Sequence, residues 1–146
     1  MDSMNMFNDD NLVHYEGELG IFDYDPEEFK VEKFNDGTEC LHYCGNGKSV
    51  DLPDGCINTS WMFSHRKLPK DFTLGEHFDT SKVTDMYGMF SYCKLPEGFS
   101  LGKHFNTSSV TDMKFMFDNC KYNGIDAYDY FETESDIEII NKLREH

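Results

Sequence analysis

The sequence predicts an α+β solenoid of about three 27-residue coils, closed by a β-rich cap at the N-terminus and a helix at the C-terminus. Three observations predict it. First, "LPKDFTLGEHFDTSKVTDMYGMFSYCK" (Leu68–Lys94) is followed without a gap by "LPEGFSLGKHFNTSSVTDMKFMFDNCK" (Leu95–Lys121), and 17 of the 27 positions are identical. Second, the constant positions are mostly apolar, among them Phe78/Phe105, Met86/Met113, Phe90/Phe117 and Cys93/Cys120. The changed ones, such as Lys70/Glu97 and Glu76/Lys103, are mostly polar. A fixed inside and a free outside is how a unit varies when neighbouring copies bury one another's apolar faces. Third, each copy carries a strand-like and then a helix-like hydrophobic period.

Within the single domain of residues 1–146, residues 1–50 form the acidic β cap. Residues 12–52 suggest short strands, because "FKVEKFNDGTECLHY" alternates and turns at Asp36-Gly37. Residues 51–121 are the repeats. Shifting back one more period aligns Met62-Phe63 and Lys67, so "VDLPDGCINTSWMFSHRK" is a third, degenerate copy with Arg66 in the place of Cys93 and Cys120. In each copy "DFTLG" or "GFSLG" suggests a very short strand. Met86, Met89, Phe90 and Cys93 then fall at i, i+3, i+4 and i+7, one face of a helix. Thr84 would cap it and Asp85 would suit its first turn. This reading buries Cys93 and Cys120 one coil apart. Residues 122–146 form an acidic helical cap. "TESDIEIINKLREH" starts with Thr133 and Asp136 in a capping-box-like pair and carries Ile137, Ile139, Ile140 and Leu143 on one face.

The segments "FDTSKVTDMYGMFSYC" and "FNTSSVTDMKFMFDNC" resemble the BspA-type leucine-rich repeats of mycoplasma lipoproteins and bacterial surface proteins. Their recurrent core is F-D-T-S-x-V-T-D-M-x-x-M-F-x-x-C. The resemblance covers about residues 51–121, and Asn106 replaces the Asp once. It implies a short leucine-rich-repeat stack used for binding rather than catalysis, with the cell surface as the family's usual setting.

Charge is unevenly placed. The net charge is −15, of which residues 1–40 carry −10, residues 41–121 carry none and residues 122–146 carry −5. Polar lids that prevent end-to-end association would account for this, and so would an acidic surface that docks on a basic partner. Direct nucleic-acid binding is disfavoured, since phosphates call for Lys and Arg. Acids occupy the first ten residues where a leader needs Lys or Arg, and no apolar run follows. Five Cys without framework spacing suggest free thiols in a reducing compartment. The expectation is a cytoplasmic monomer without membrane attachment.

The search for chemistry finds little. Cys40, His42 and Cys44 share one face of a strand, a three-ligand start for zinc that only Cys56 could complete; packing is the simpler reading. "GNGKS" lacks the first glycine of a phosphate loop, where His42 stands. His77 and His104 are repeat-equivalent and suggest a structural pair. The chain is therefore expected to be a non-enzyme with no cofactor and no metal. Two sets of residues remain as candidate partner-binding sites. Asp23, Asp25, Glu27 and Glu28 are the densest acidic run and flank Pro26 in a turn. Trp61, Gly88 and Phe115 share one slot of the repeat, so Trp61 and Phe115 would either flank a notch over the glycine or lie covered by irregular caps. The favoured function is an acidic inhibitor that occupies the basic surface of a nucleic-acid-binding enzyme by phosphate mimicry, as anti-CRISPR proteins of similar size and charge do. The alternative is an adhesion or adaptor-type binding module.

Overall fold

The computed structural model describes residues 11–133, the last three by their backbone. Two antiparallel hairpins come first. β1 (Val13–Gly17) pairs with β2 (Gly20–Tyr24), and β3 (Phe29–Lys33) pairs with β4 (Glu39–Tyr43). The second turns as expected at Asp36-Gly37: Gly37 has φ 90°, and the Phe34 and Gly37 amides close the loop on the Thr38 and Phe34 carbonyls. β5 (Ser49–Val50) pairs in parallel with β6 (Thr73–Leu74). β7 (Lys94–Leu95), β8 (Lys121–Tyr122) and β9 (Ile125–Asp126) form a three-stranded sheet, and α1 (Ala127–Thr133) follows.

The expected α+β solenoid of strand-plus-helix coils does not form. The described strands lie in four separate small sheets, and α1 is the one described helix; it lies after the repeats. "DFTLG" yields only the two residues of β6, and "GFSLG" yields no strand. The helix expected after Thr84 is a run of tight turns. Its amides show why. Those of Met86, Gly88, Phe90 and Tyr92 donate to the carbonyls of Asp112, Lys114, Met116 and Asp118, each 26 residues on, while those of Met89, Ser91 and Cys93 donate to the carbonyls three residues back. Every second amide thus leaves the local chain, and no i to i−4 ladder can be built. Gly88 (φ 60°) and Tyr92 (φ 59°) are left-handed, which also ends any right-handed helix. Thr84 caps nothing. Its amide and hydroxyl both donate to the Ile57 carbonyl.

Repeat-equivalent residues are nevertheless neighbours. Isolated parallel bridges join Asn58 to Asp85 and Asp85 to Asp112. Phe63, Phe90 and Phe117 form a column of near-parallel rings at 5.1 and 5.4 Å. Tyr43 covers one end of the column and Tyr128 the other, and the Tyr128 hydroxyl also accepts the Phe117 amide. Cys93 and Cys120 are fully buried free thiols; the hydrogen bond between them, with burial, pushes the Cys120 thiol well above its ordinary value. The predicted helix over 133–146 lies outside the described residues. Among those described, no helix is long and apolar enough to cross a membrane.

Candidate binding face

The turn that carries each copy's Met-Phe pair has two left-handed positions. The first holds Trp61 (φ 59°), Gly88 and Phe115 (φ 58°); the second holds His65 (φ 59°), Tyr92 and Asn119 (φ 53°). Gly and Asn enter this conformation readily, whereas bulky side chains there are uncommon and costly. Inward residues of the same turns, such as Met62, Phe63, Met89 and Phe90, are fully buried. The left-handed residues point the other way, and Tyr92 and Phe115 are each 52 % exposed.

Together with Tyr87, these side chains form two short rows. In one, Trp61 meets Tyr87 edge-on at 5.3 Å and Tyr87 meets Phe115 edge-on at 5.4 Å. In the other, His65 lies parallel to Tyr92 at 4.9 Å. The notch expected over Gly88 is therefore closed. A Cβ at Gly88 would fall 2.6 Å from the indole, so the Trp61 ring itself lies over the glycine, and Tyr87 links it to Phe115. Trp61 is half-buried and Phe115 open, so neither sequence alternative describes both rings.

Trp61 also walls a groove of about 420 Å³ with Phe34, Cys40, His42 and His65. His42 Nδ1 lies 3.2 Å from the Trp61 carbonyl and 3.8 Å from a Glu32 oxygen. Cys40 is buried and its thiol is pushed up to about 12, chiefly by burial. Among the described residues no three His, Cys, Asp or Glu side chains are placed to hold a metal ion, the Cys40, His42 and Cys44 run included. His77 and His104 are exposed and line a separate groove with Glu76, Asp79 and Lys82.

The acidic run is less uniform than its sequence suggests. Asp23, on β2, lies 2.7 Å from His14 Nδ1. Asp25 Oδ1 accepts the Glu27 amide, and the Asp25 carbonyl accepts those of Glu28 and Phe29. Glu27 is exposed, whereas Glu28 is half-buried. None of the four lines the grooves beside Trp61. Burial, with Asp25 and Asp51 nearby, pushes the Glu28 carboxyl above its usual 4.5. The folded state then holds this proton more tightly than the unfolded chain. Stability falls as pH rises from 4.5 through the raised value, and the penalty is full above it. Glu28→Gln is expected to raise the melting temperature at about pH 7 and leave it unchanged at about pH 4. A lower melting temperature at neutral pH would show that ionised Glu28 has a stabilising partner.

Repeat alignment exposes the 61/88/115 slot. It does not distinguish the 65/92/119 slot, although the same alignment contains it, nor Tyr87, which looks like an ordinary changed position beside Lys114. A family model described as a Mycoplasma protein of unknown function, DUF285, matches residues 57–139, more than half of the chain and most of the repeats. No curated protein and no solved structure matches the chain. The match agrees with the mycoplasma side of the repeat resemblance and assigns no activity. By this match, the chain belongs to the DUF285 family of Mycoplasma proteins.

Proposed function

We propose that the chain is a non-catalytic binding module of the adaptor or adhesion type, which meets a protein partner through the aromatic rows Trp61–Tyr87–Phe115 and His65–Tyr92. One observation carries this reading: four large rings are held at positive φ, where Gly or Asn would be cheaper, and two of those that cost most are more than half exposed. An exposed Phe at a left-handed position contributes little to the core and costs backbone energy, while aromatic rings are favoured anchors at interfaces. The family match supports the adaptor-type reading over an inhibitor that mimics phosphates, because it covers most of the repeats and leaves out the acidic N-terminal run Asp23–Glu28.

The stability side is testable alone. Phe115→Asn removes an edge contact with Tyr87, worth about 0.5–1.5 kcal/mol, and relieves a left-handed strain of about 1–2 kcal/mol. Its unfolding free energy should stay within about 0.5 kcal/mol of the parent or rise. With Tyr92→Asn added, retention of partner proteins from a cell-surface extract by the immobilised chain should fall at least about tenfold, or about 1.4 kcal/mol. If the double variant melts normally and retains every protein that the parent retains, the aromatic face is not the site.

A further inference from the structure

Trp61 borders a second groove, of about 250 Å³, between the turns of the two N-terminal hairpins and the Asn58–Asp85–Asp112 column. Its aromatic walls are Trp61, Tyr87 and Phe34, and its carboxylates are Glu18, Glu39, Asp85 and Asp112. No Lys, Arg or His lines it. Each carboxylate is held by one hydrogen bond through one oxygen. Glu18 Oε1 accepts the Glu39 amide (2.6 Å), Glu39 Oε1 the Tyr15 hydroxyl (2.7 Å), Asp85 Oδ1 the Tyr87 amide (2.9 Å) and Asp112 Oδ1 the Lys114 amide (3.1 Å). The second oxygen of each takes no bond among the described residues, and none of the four is paired with a Lys or Arg there. Burial, and then Asp112 against the opposing Tyr87 hydrogen bond, raises the Asp85 carboxyl, so the column holds like charges that lack a counterion.

Aromatic faces attract cations, and carboxylates with a free oxygen accept hydrogen bonds from them. A divalent metal does not suit the groove, because no three of its carboxylates are placed around one point. A flat guanidinium does suit it, since it carries five donors, lies on aromatic rings and sheds water more easily than an ammonium. We propose that this groove receives an arginine side chain of the protein partner, with the guanidinium against Trp61 and Tyr87 and its donors shared among Glu18, Glu39, Asp85 and Asp112. The proposal rests on the binding-module reading and names the chemistry of the partner.

Trp61 is the only tryptophan of the chain, so its emission reports this groove directly. The probes are acetyl-hexaarginine amide, the neutral isostere acetyl-hexacitrulline amide and acetyl-hexalysine amide, titrated into the full chain. The arginine peptide should change the Trp61 emission saturably, the citrulline peptide should not, and the lysine peptide should bind several-fold more weakly. Asp85→Asn with Asp112→Asn should weaken arginine binding about tenfold without lowering the melting temperature, since Asn58 already serves the equivalent turn and the change removes like charges from the column. Neutralising Asp23, Asp25, Glu27 and Glu28 together should change it by no more than about twofold. Equal binding of citrulline, no saturable change, or an equal loss in the N-terminal variant would each overturn the proposal, the last by reducing it to bulk charge. Phe115 and Tyr92 do not line this groove. If arginine fails to bind while partner retention still depends on those two rings, the groove proposal falls and the binding-module reading stands; the reverse result leaves the groove and removes that reading.

Discussion

Phe90→Ala is expected to cost about 3–5 kcal/mol, near the top of what a single core truncation costs. Phe90 is fully buried between Phe63 and Phe117, with Phe99 at 6.0 Å on its edge. How much of the resulting cavity can close decides the figure. The backbones on either side are tied by the Phe63 amide to the Met89 carbonyl and by the Phe90 amide to the Met116 carbonyl, both at 2.8 Å. Neither neighbour can move in without breaking a bond that has no substitute partner, so the hole stays largely open. A domain of ordinary stability has about 5–15 kcal/mol to lose, and this one change removes a large part of it. Urea unfolding measures the loss. Phe90→Leu keeps most of the volume and should cost far less. A loss under about 1 kcal/mol for the alanine variant would mean that the rings do not form a tight column.

The same column shows what the sequence discloses and what it hides. The 27-residue period is legible because Phe63, Phe90 and Phe117 face one another, and a partner ring of the same size and shape is the most economical neighbour for each. The helix is a misreading with a physical origin. Met86, Met89, Phe90 and Cys93 turn inward in a chain of tight turns at the same spacing that would place them on one helical face. Three of the six left-handed residues that break the helix, Gly88, Asn119 and less strongly His65, belong to types that favour such a conformation; Trp61, Tyr92 and Phe115 do not. Asn58, Asp85 and Asp112 resemble residues at a helix start. Their side-chain oxygens in fact accept the amide two residues on, which is a turn and not a cap. The second N-terminal hairpin is legible, because alternation and Asp36-Gly37 are local signals. The aromatic row was half visible through the alignment of 61 with 115. The groove beside it was not, since Glu18 and Glu39 reach it through the docking of hairpin turns, which no local pattern encodes.

Arg66 is where the repeat breaks, and Arg66→Cys is expected to destabilise the chain although it restores the residue that both later copies carry. Cys93 and Cys120 sit in buried positions with another copy alongside. At position 66 the neighbour is instead β4 and the loop after it. The Arg66 guanidinium donates to the Tyr43 carbonyl (3.2 Å) and the Gly45 carbonyl (2.6 Å), and it lies 5.1 Å above the Tyr43 ring. Arginine offers five donors and no acceptor, which suits a site bounded by carbonyls. A hydrogen bond to a charged group contributes about 1.5–3 kcal/mol. Two such bonds at a half-buried site, where water replaces part of what is lost, set the expected cost of Arg66→Cys at about 2–3 kcal/mol. Arg66→Met should cost a similar amount, because it keeps the apolar stem and loses every donor. Arg66→Lys should keep part of the stability, since an ammonium can reach one carbonyl but lacks the fork that spans two. High salt should barely change these differences, because both acceptors are neutral and no ion pair is screened. Urea unfolding followed by the Trp61 emission reads all three variants. If Arg66→Cys proves neutral or stabilising, the arginine is not what fastens the first copy to β4, and the repeat pattern alone governs that position.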